Sequence, residues 1–401
     1  MPANIRKLYM LSFLSGLIFW YPVEKLFLRS IGVGPLGISV NAIVFLAVMV
    51  IFDVPAGVLA DKWRRKYVLV SACVALLVAS LIAGSSHSLP VYLIATALVG
   101  AYMVLTSGTT QAMMYDSLKE TESQKTYDKH QGWAYALYLA GFGFSSIAGG
   151  YIAQHSGYRA SYWITAVAMA AALIVSLTLA EPVRTQPTHD KKLSAHVRES
   201  VTQILAQSLL MQLGLLIVAV TILRSTQNEY APLLFVALGL GAVPIGYATA
   251  AKWLTSSLGQ IIAPKAGRRV LKLSPLFFIG FTLFSIVHTR WSLLFFFIVS
   301  FLYAAITNQA ESAVQDLTAS DIRATMLSVL NFASNIVLIP LSLLFGWVAQ
   351  HSNVFNAYTT LSVVGILYLI MWLVSGRRSF HVIYDMRPRH EQAPSAEVEI
   401  V

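Results

Sequence analysis

Apolar residues fall along this chain in long blocks of about 20, divided by short polar breaks, the spacing of helices that cross a hydrocarbon core of about 30 Å. Twelve blocks can be read, at 8–28, 36–60, 67–82, 89–113, 133–153, 162–179, 209–236, 243–263, 273–287, 292–313, 327–349 and 357–374. The predicted fold class is an all-α polytopic membrane protein with 12 transmembrane helices. One polar connection is much longer than the rest. It divides the chain into a first six-helix bundle (1–180), a linker (181–203), a second six-helix bundle (204–376) and a polar tail (377–401). A signal peptide is the competing reading of the first block, because Arg6 and Lys7 precede it. No small-residue cleavage site follows, however, and the chain runs straight on into Glu24 and Lys25.

Composition excludes an ordinary soluble globule: 57% of the residues are hydrophobic and only 11% charged, with a mean hydropathy of +0.67. A net charge of +10 raises the question of nucleic acid. No basic stripe with interleaved aromatics is present, so no nucleic-acid partner is expected. The distribution of the charge is more telling. If both termini are cytoplasmic, 22 of the 28 Lys and Arg residues fall on inside segments. Arg29, Arg159 and Arg290 fall outside, and Lys25, Arg224 and Lys252 fall within blocks. That asymmetry predicts a multi-pass protein of the cell membrane with both ends in the cytoplasm. The single cysteine, Cys73, reads as a packed thiol. GVGPLG at 32–37 lacks the lysine and helix of a phosphate loop and reads as a turn. All nine histidines lie in loops or near block ends without ligand spacing, so neither a metal nor any other cofactor is expected.

The two halves echo each other at three places. Gln111 and Asp116 answer Glu311 and Asp316 at an offset of 200. Leu26, Gly32 and Gly34 answer Leu233, Gly239 and Gly241 at 207. Arg65 and Lys66 answer Arg268 and Arg269 at 203, although Pro264 stands where the first copy has Asp61. Together these matches predict an internal duplication.

Charges inside blocks are the informative exceptions, each costing about 3 kcal/mol at a helix centre unless it faces water or a partner. The first and seventh blocks are both interrupted. Glu24 and Lys25 intrude in the first, and Arg224, Ser225, Thr226, Gln227, Asn228, Glu229 and Tyr230 in the seventh. This patch reads either as the wall of a midplane cavity or as an outside loop following a block that ends at Leu223. Lys252 sits too deep in the eighth block to reach an interface, which leaves an interhelical salt bridge or a substrate or proton role. Asp53 and Glu311 divide the same way, between structural acid and proton carrier. Trp20, Tyr21 and Tyr138 suit a cavity wall for an amphipathic solute. Trp133 and Tyr135 equally suit an interfacial belt.

The decapeptide GVLADKWRRK, at 57–66, resembles the loop signature of major facilitator superfamily transporters, G-x-L-a-D-r-x-G-r-k, with Arg64 at the second glycine. YDSLKE at 115–120 and RATMLS at 323–328 are similar to segments of the prokaryotic drug-exporter and metabolite-carrier branches. The resemblance implies alternating access around a cavity lined chiefly by helices one, four, seven and ten. It implies a cytoplasmic gate formed by Gly57, Asp61, Arg65, Lys66 and Asp116, with Arg65 pairing to Asp116. Two departures are visible. Ala95 stands where proton-coupled members carry an arginine, and Gly141, Ser145, Ser146, Gly149 and Gly150 only partly retain the glycine-proline pattern of antiporters. The expectation is a monomeric secondary active transporter in the lipid bilayer, moving a small-molecule substrate outward in exchange for protons. Uptake by symport or facilitated diffusion is the alternative, and a polytopic membrane enzyme the remote one.

Overall fold

In the computed structural model of the protein, residues 3–119, 126–182, 193–318 and 323–373 are described, without the side chains at 3, 53–62, 193–197 and 323–324. Asp53, Gly57 and Asp61 therefore have no described side-chain environment, and the tail lies outside the described residues. Every regular element among the described residues is helical.

In chain order these are α1 (Ala3–Gly16), α2 (Glu24–Ser30), α3 (Pro35–Lys62), α4 (Arg65–Ser85), α5 (Leu89–Thr106), α6 (Thr109–Lys119), α7 (Tyr127–Ser156), α8 (Tyr158–Leu177), α9 (Leu193–Ala206), α10 (Ser208–Ala237), α11 (Ala242–Ala266), α12 (Ser274–Ile286), α13 (Ser292–Leu317), α14 (Arg323–His351) and α15 (Val354–Met371). Eleven helical stretches among the described residues are long and apolar enough to cross a membrane. One of them, Ala242–Ile286, is 45 residues long and holds both α11 and α12. At 1.5 Å per residue that is twice the length a crossing needs. The chain turns between the two helices through a 3-10 segment, Gly267–Leu273, so the eighth and ninth blocks are two crossings.

The first and fourth blocks are each two helices, α1 with α2 and α5 with α6. The seventh is unbroken. Residues 224–230 lie inside α10, which corrects both the outside-loop reading and the expected interruption. The physical reason is that the polar residues of this stretch are adequate helix formers, and the proline, Pro232, comes only after them. Pro232 has no N–H to give to the carbonyl of Asn228 four residues back, which leaves that acceptor open within a continuous helix.

The echo between halves is visible in the backbone. Gly32 and Gly239 both have positive φ, 84° and 78°. After α2, Gly32 N–H donates to Arg29 O at 3.1 Å and Val33 N–H to Leu28 O at 3.0 Å. After α10, Gly239 N–H donates to Val236 O at 2.9 Å and Leu240 N–H to Phe235 O at 3.0 Å. Two helices thus end in the same glycine-capped motif, 207 residues apart.

By packing, the chain forms two compact units. The first comprises Met1–Thr188, Thr226–Leu254 and Ile339–Ala357, and the second His189–Ser225, Thr255–Leu338 and Tyr358–Val401. In the first unit close approach relies on small residues, as expected where lipid gives helices no hydrophobic drive to associate. A Cβ on Gly150 would meet the Ala242 carbonyl, one on Gly246 the Ser146 carbonyl, and one on Gly346 the Ser39 hydroxyl. The second unit does the same where Gly259 meets the Phe301 carbonyl.

Candidate functional site

The break in the first block builds the site. α1 stops at Gly16, Ile18 N–H turns back to Gly16 O at 2.8 Å, and a 3-10 turn at Tyr21–Val23 containing Pro22 precedes α2. Backbone groups freed in a bilayer must find protein partners. Thr165 Oγ1 on α8 accepts the Phe19 N–H at 3.0 Å, and the Ser145 hydroxyl on α7 donates to Gly16 O at 2.9 Å. α7 comes close enough because Gly141 faces the Phe13 carbonyl and Gly149 the Phe19 carbonyl, with no room for a Cβ at either.

This turn brings Trp20, Tyr21 and Glu24 to the wall of a chamber of about 220 Å³ in the first unit. Glu24 is its most connected group. Its carboxylate accepts from Asn41 Nδ2 at 3.1 Å, from the Tyr92 hydroxyl at 3.2 Å and from Lys25 Nζ at 2.9 Å. Lys25, only 3% exposed, also pairs with Glu229 on α10. One buried ammonium therefore serves two carboxylates from the first and seventh blocks. A second cation lies beside it. Asn228 Oδ1 accepts from the Tyr21 hydroxyl at 3.1 Å and from the Lys252 ammonium. Lys252 is 2% exposed, and its ammonium lies 5.4 Å from the Tyr21 ring centroid and 5.1 Å from that of Trp253.

Of the residues expected at the site, Trp20, Tyr21, Glu24, Tyr138, Asn228 and Glu229 share this wall. Gln227 is fully buried, and Lys252 stands behind Asn228. Arg224 and Glu311 are not on the wall. Both belong to the second unit, where the Arg224 guanidinium lies 4.8 Å over the Tyr303 ring. Asn41, Tyr92, Thr96, Tyr162 and Trp253 also line the chamber without having been singled out in the sequence. Asn41 had a readable signal, an amide alone among apolar neighbours in the second block. Tyr92 and Trp253 had none, because an aromatic near a block end, or beside a lysine, reads as packing or belt.

A second chamber of about 210 Å³ adjoins the first, and Tyr102, Met103 and Tyr138 line both. Its polar lining consists of Ser12, Ser15, Thr106, Thr110, Gln111, Gln131 and Tyr135. No charged side chain lines it among the described residues.

At the start of α4, Arg65 pairs with Asp116 on α6 and donates to the Ala112 carbonyl at 2.6 Å. The Glu181 carboxylate accepts the Arg65 and Lys66 backbone N–H groups at 2.8 and 2.9 Å, capping the α4 N-terminus where the helix dipole favours an anion. In the second unit Arg268 pairs with Asp316. The residues matched by the internal echo thus form the same ion pair twice.

The sequence profile of the Major Facilitator Superfamily matches residues 8–340. An uncharacterized transporter from Buchnera aphidicola subsp. Schizaphis graminum is 26% identical over 132 residues, which are 33% of this chain and 32% of that protein; the match thus spans about a third of that relative's length. Among solved structures, a variant of the nucleoside transporter NupG superposes with a TM-score of 0.77 at 14% identity, covering 92% of this chain and 99% of that one. A bacterial homologue of the lysosomal transporter Spinster gives 0.71 at 13%, with 95% of each chain covered. A D-xylose–proton symporter gives 0.66 at 16%, covering 92% and 98%. These likenesses show the fold. With the profile match over most of its length, the chain belongs to the Major Facilitator Superfamily and is a multi-pass membrane transporter of a small molecule, not an enzyme.

Proposed function

We propose that this transporter moves a small organic solute outward across the cell membrane in exchange for protons, acting as a monomer with both termini in the cytoplasm. The observation that carries the reading is the ammonium of Lys25 held between Glu24 and Glu229 at the chamber. A proton on Glu229 cancels its hold on Lys25 and loosens α10 from α2. Loss of that proton restores the pair. The carboxylate thus carries either a proton or the ammonium, and the exchange links protonation to the helices that enclose the solute. The Arg65–Asp116 pair and its repeat at Arg268–Asp316, with Asp61, serve as the inner latch. The paired side chains are at most 18% exposed, so each pair holds until water or another partner reaches it.

At the other ends of the helices α3 is tied to α10 and α14 within the first unit. Gln350 Oε1 on α14 accepts the Leu36 N–H of α3 at 3.2 Å, and Tyr230 bonds Ser39 at 2.8 Å while stacking on Phe345. The D-xylose–proton symporter among the structural relatives supports the proton-coupled reading. Symport into the cell is the second reading, favoured by Ser145 and Ser146 at positions where antiporters carry glycine and proline.

The test uses the purified chain in liposomes loaded with a pH-sensitive dye, with solutes added outside. Exchange alkalinises the lumen as solute enters, whereas symport acidifies it. Solute flux without either pH change overturns proton coupling, and no flux with any solute overturns the transport assignment of the chamber.

A further inference from the structure

We infer that the solute is an uncharged molecule rich in hydrogen-bond donors and with one flat apolar face, such as an unmodified sugar or nucleoside. The inference rests on the chamber being the substrate site. Three independent observations lead to it.

The first is charge balance. Two carboxylates, Glu24 and Glu229, line the chamber, and two ammonium groups, Lys25 and Lys252, are bonded directly to lining residues. Among the described side chains, and with Glu229 ionised, the sum is zero before any ligand arrives. A cation or an anion would bring an unmatched charge into a largely buried space, where desolvation of an ion is costly.

The second is what the wall offers. Neither lysine is a wall residue, whereas the two carboxylates and the amides of Asn41 and Asn228 are; Asn41 is engaged by Glu24 and Thr96 and the Asn228 oxygen by Tyr21 and Lys252, which leaves the carboxylates as the acceptors for a ligand. Carboxylates whose charge is already matched remain strong acceptors for hydroxyl and amine hydrogens. The faces of Tyr21 and Trp253, where an organic cation would seek its aromatic contact, already carry the Lys252 ammonium. Phe45 and Tyr138, both half-buried on the wall, offer apolar area to a flat ligand face.

The third is the adjoining chamber. Among the described residues its lining supplies hydroxyls and amides but no charge. A polar neutral solute finds hydrogen bonds there, whereas an ion leaving the first chamber finds no counter-charge on that wall.

Equilibrium binding to the full chain in detergent, read by tryptophan fluorescence and by thermal shift, tests the assignment. The neutral probes are methyl glucoside and uridine. The charged probes are tetraphenylphosphonium and succinate. At least one neutral probe binds saturably at millimolar concentration, and neither charged probe competes with it. Lys252→Gln supplies the readout that a general folding defect cannot mimic. It leaves the wall one charge negative and clears two ring faces, so tetraphenylphosphonium binding rises about tenfold over the unmodified chain. Tight binding of either charged probe to the unmodified protein overturns the inference, as does failure of both neutral probes. Neutral-probe binding without flux in liposomes leaves it standing and removes the transport role of the chamber. Flux of a charged solute without neutral binding does the reverse.

Discussion

The chemistry of this chain is concentrated in a few side chains that a hydrocarbon interior would otherwise exclude. Lys25 is tolerated at 3% exposure because two carboxylates share it, and removing the ammonium leaves both acids without their counter-charge. Lys25→Met is therefore expected to abolish flux and to lower the melting temperature in detergent more than Glu229→Gln, since Glu229 is 33% exposed and water can replace its partner. An equal or smaller loss for Lys25→Met would show that the pair is not the chamber's organising contact. Thr165 has a quieter part, accepting the one N–H that the broken first block leaves at Phe19. Thr165→Val keeps the shape and removes the acceptor, so a destabilisation of about 1–3 kcal/mol follows, with Thr165→Ser close to the unmodified protein. Chemical denaturation of the three proteins compares them directly.

At the scale of helices, the close packing of α1 on α7 decides where the chamber lies. Gly149→Ala pushes a methyl into the Phe19 carbonyl, whereas Gly143→Ala on the same helix meets nothing within 4 Å. The first is expected to cut folded yield and flux sharply. The second is expected to be neutral or slightly stabilising, because alanine is the better helix former. Size-exclusion recovery and liposome flux distinguish the two. Much of this level was legible in the sequence. The crossings follow from the apolar blocks, and the Arg65–Asp116 contact followed from the loop motif. The internal echo matched Arg268 and Asp316 to the first pair's residues, but their own ion pair emerged only from the structure. The break at 17–23 was not legible, since residues 17–20 are apolar and hydropathy cannot register a hydrogen bond that turns back on itself. Arg224 misled for the opposite reason. It sits in the polar patch of α10 with Asn228 and Glu229, and sequence proximity does not reveal that its guanidinium lies over Tyr303 instead of on the chamber wall.

At the scale of the whole chain, duplication accounts for the twin ion pairs and for the helix ends alike. Arg65→Gln and Arg268→Gln each remove one copy of the ion pair. Each is expected to change turnover while leaving solute affinity within about threefold, because neither pair is on the chamber wall. A large fall in affinity at unchanged turnover would place these arginines in binding instead. The glycine-capped ends at Gly32 and Gly239 carry a different consequence. Left-handed backbone at those two turns penalises every side chain bearing a β-carbon by about 1–2 kcal/mol. Saturation mutagenesis scored by survival or surface display should therefore draw two intolerant notches of the same depth, 207 residues apart, with no ligand or proton needed to explain either one.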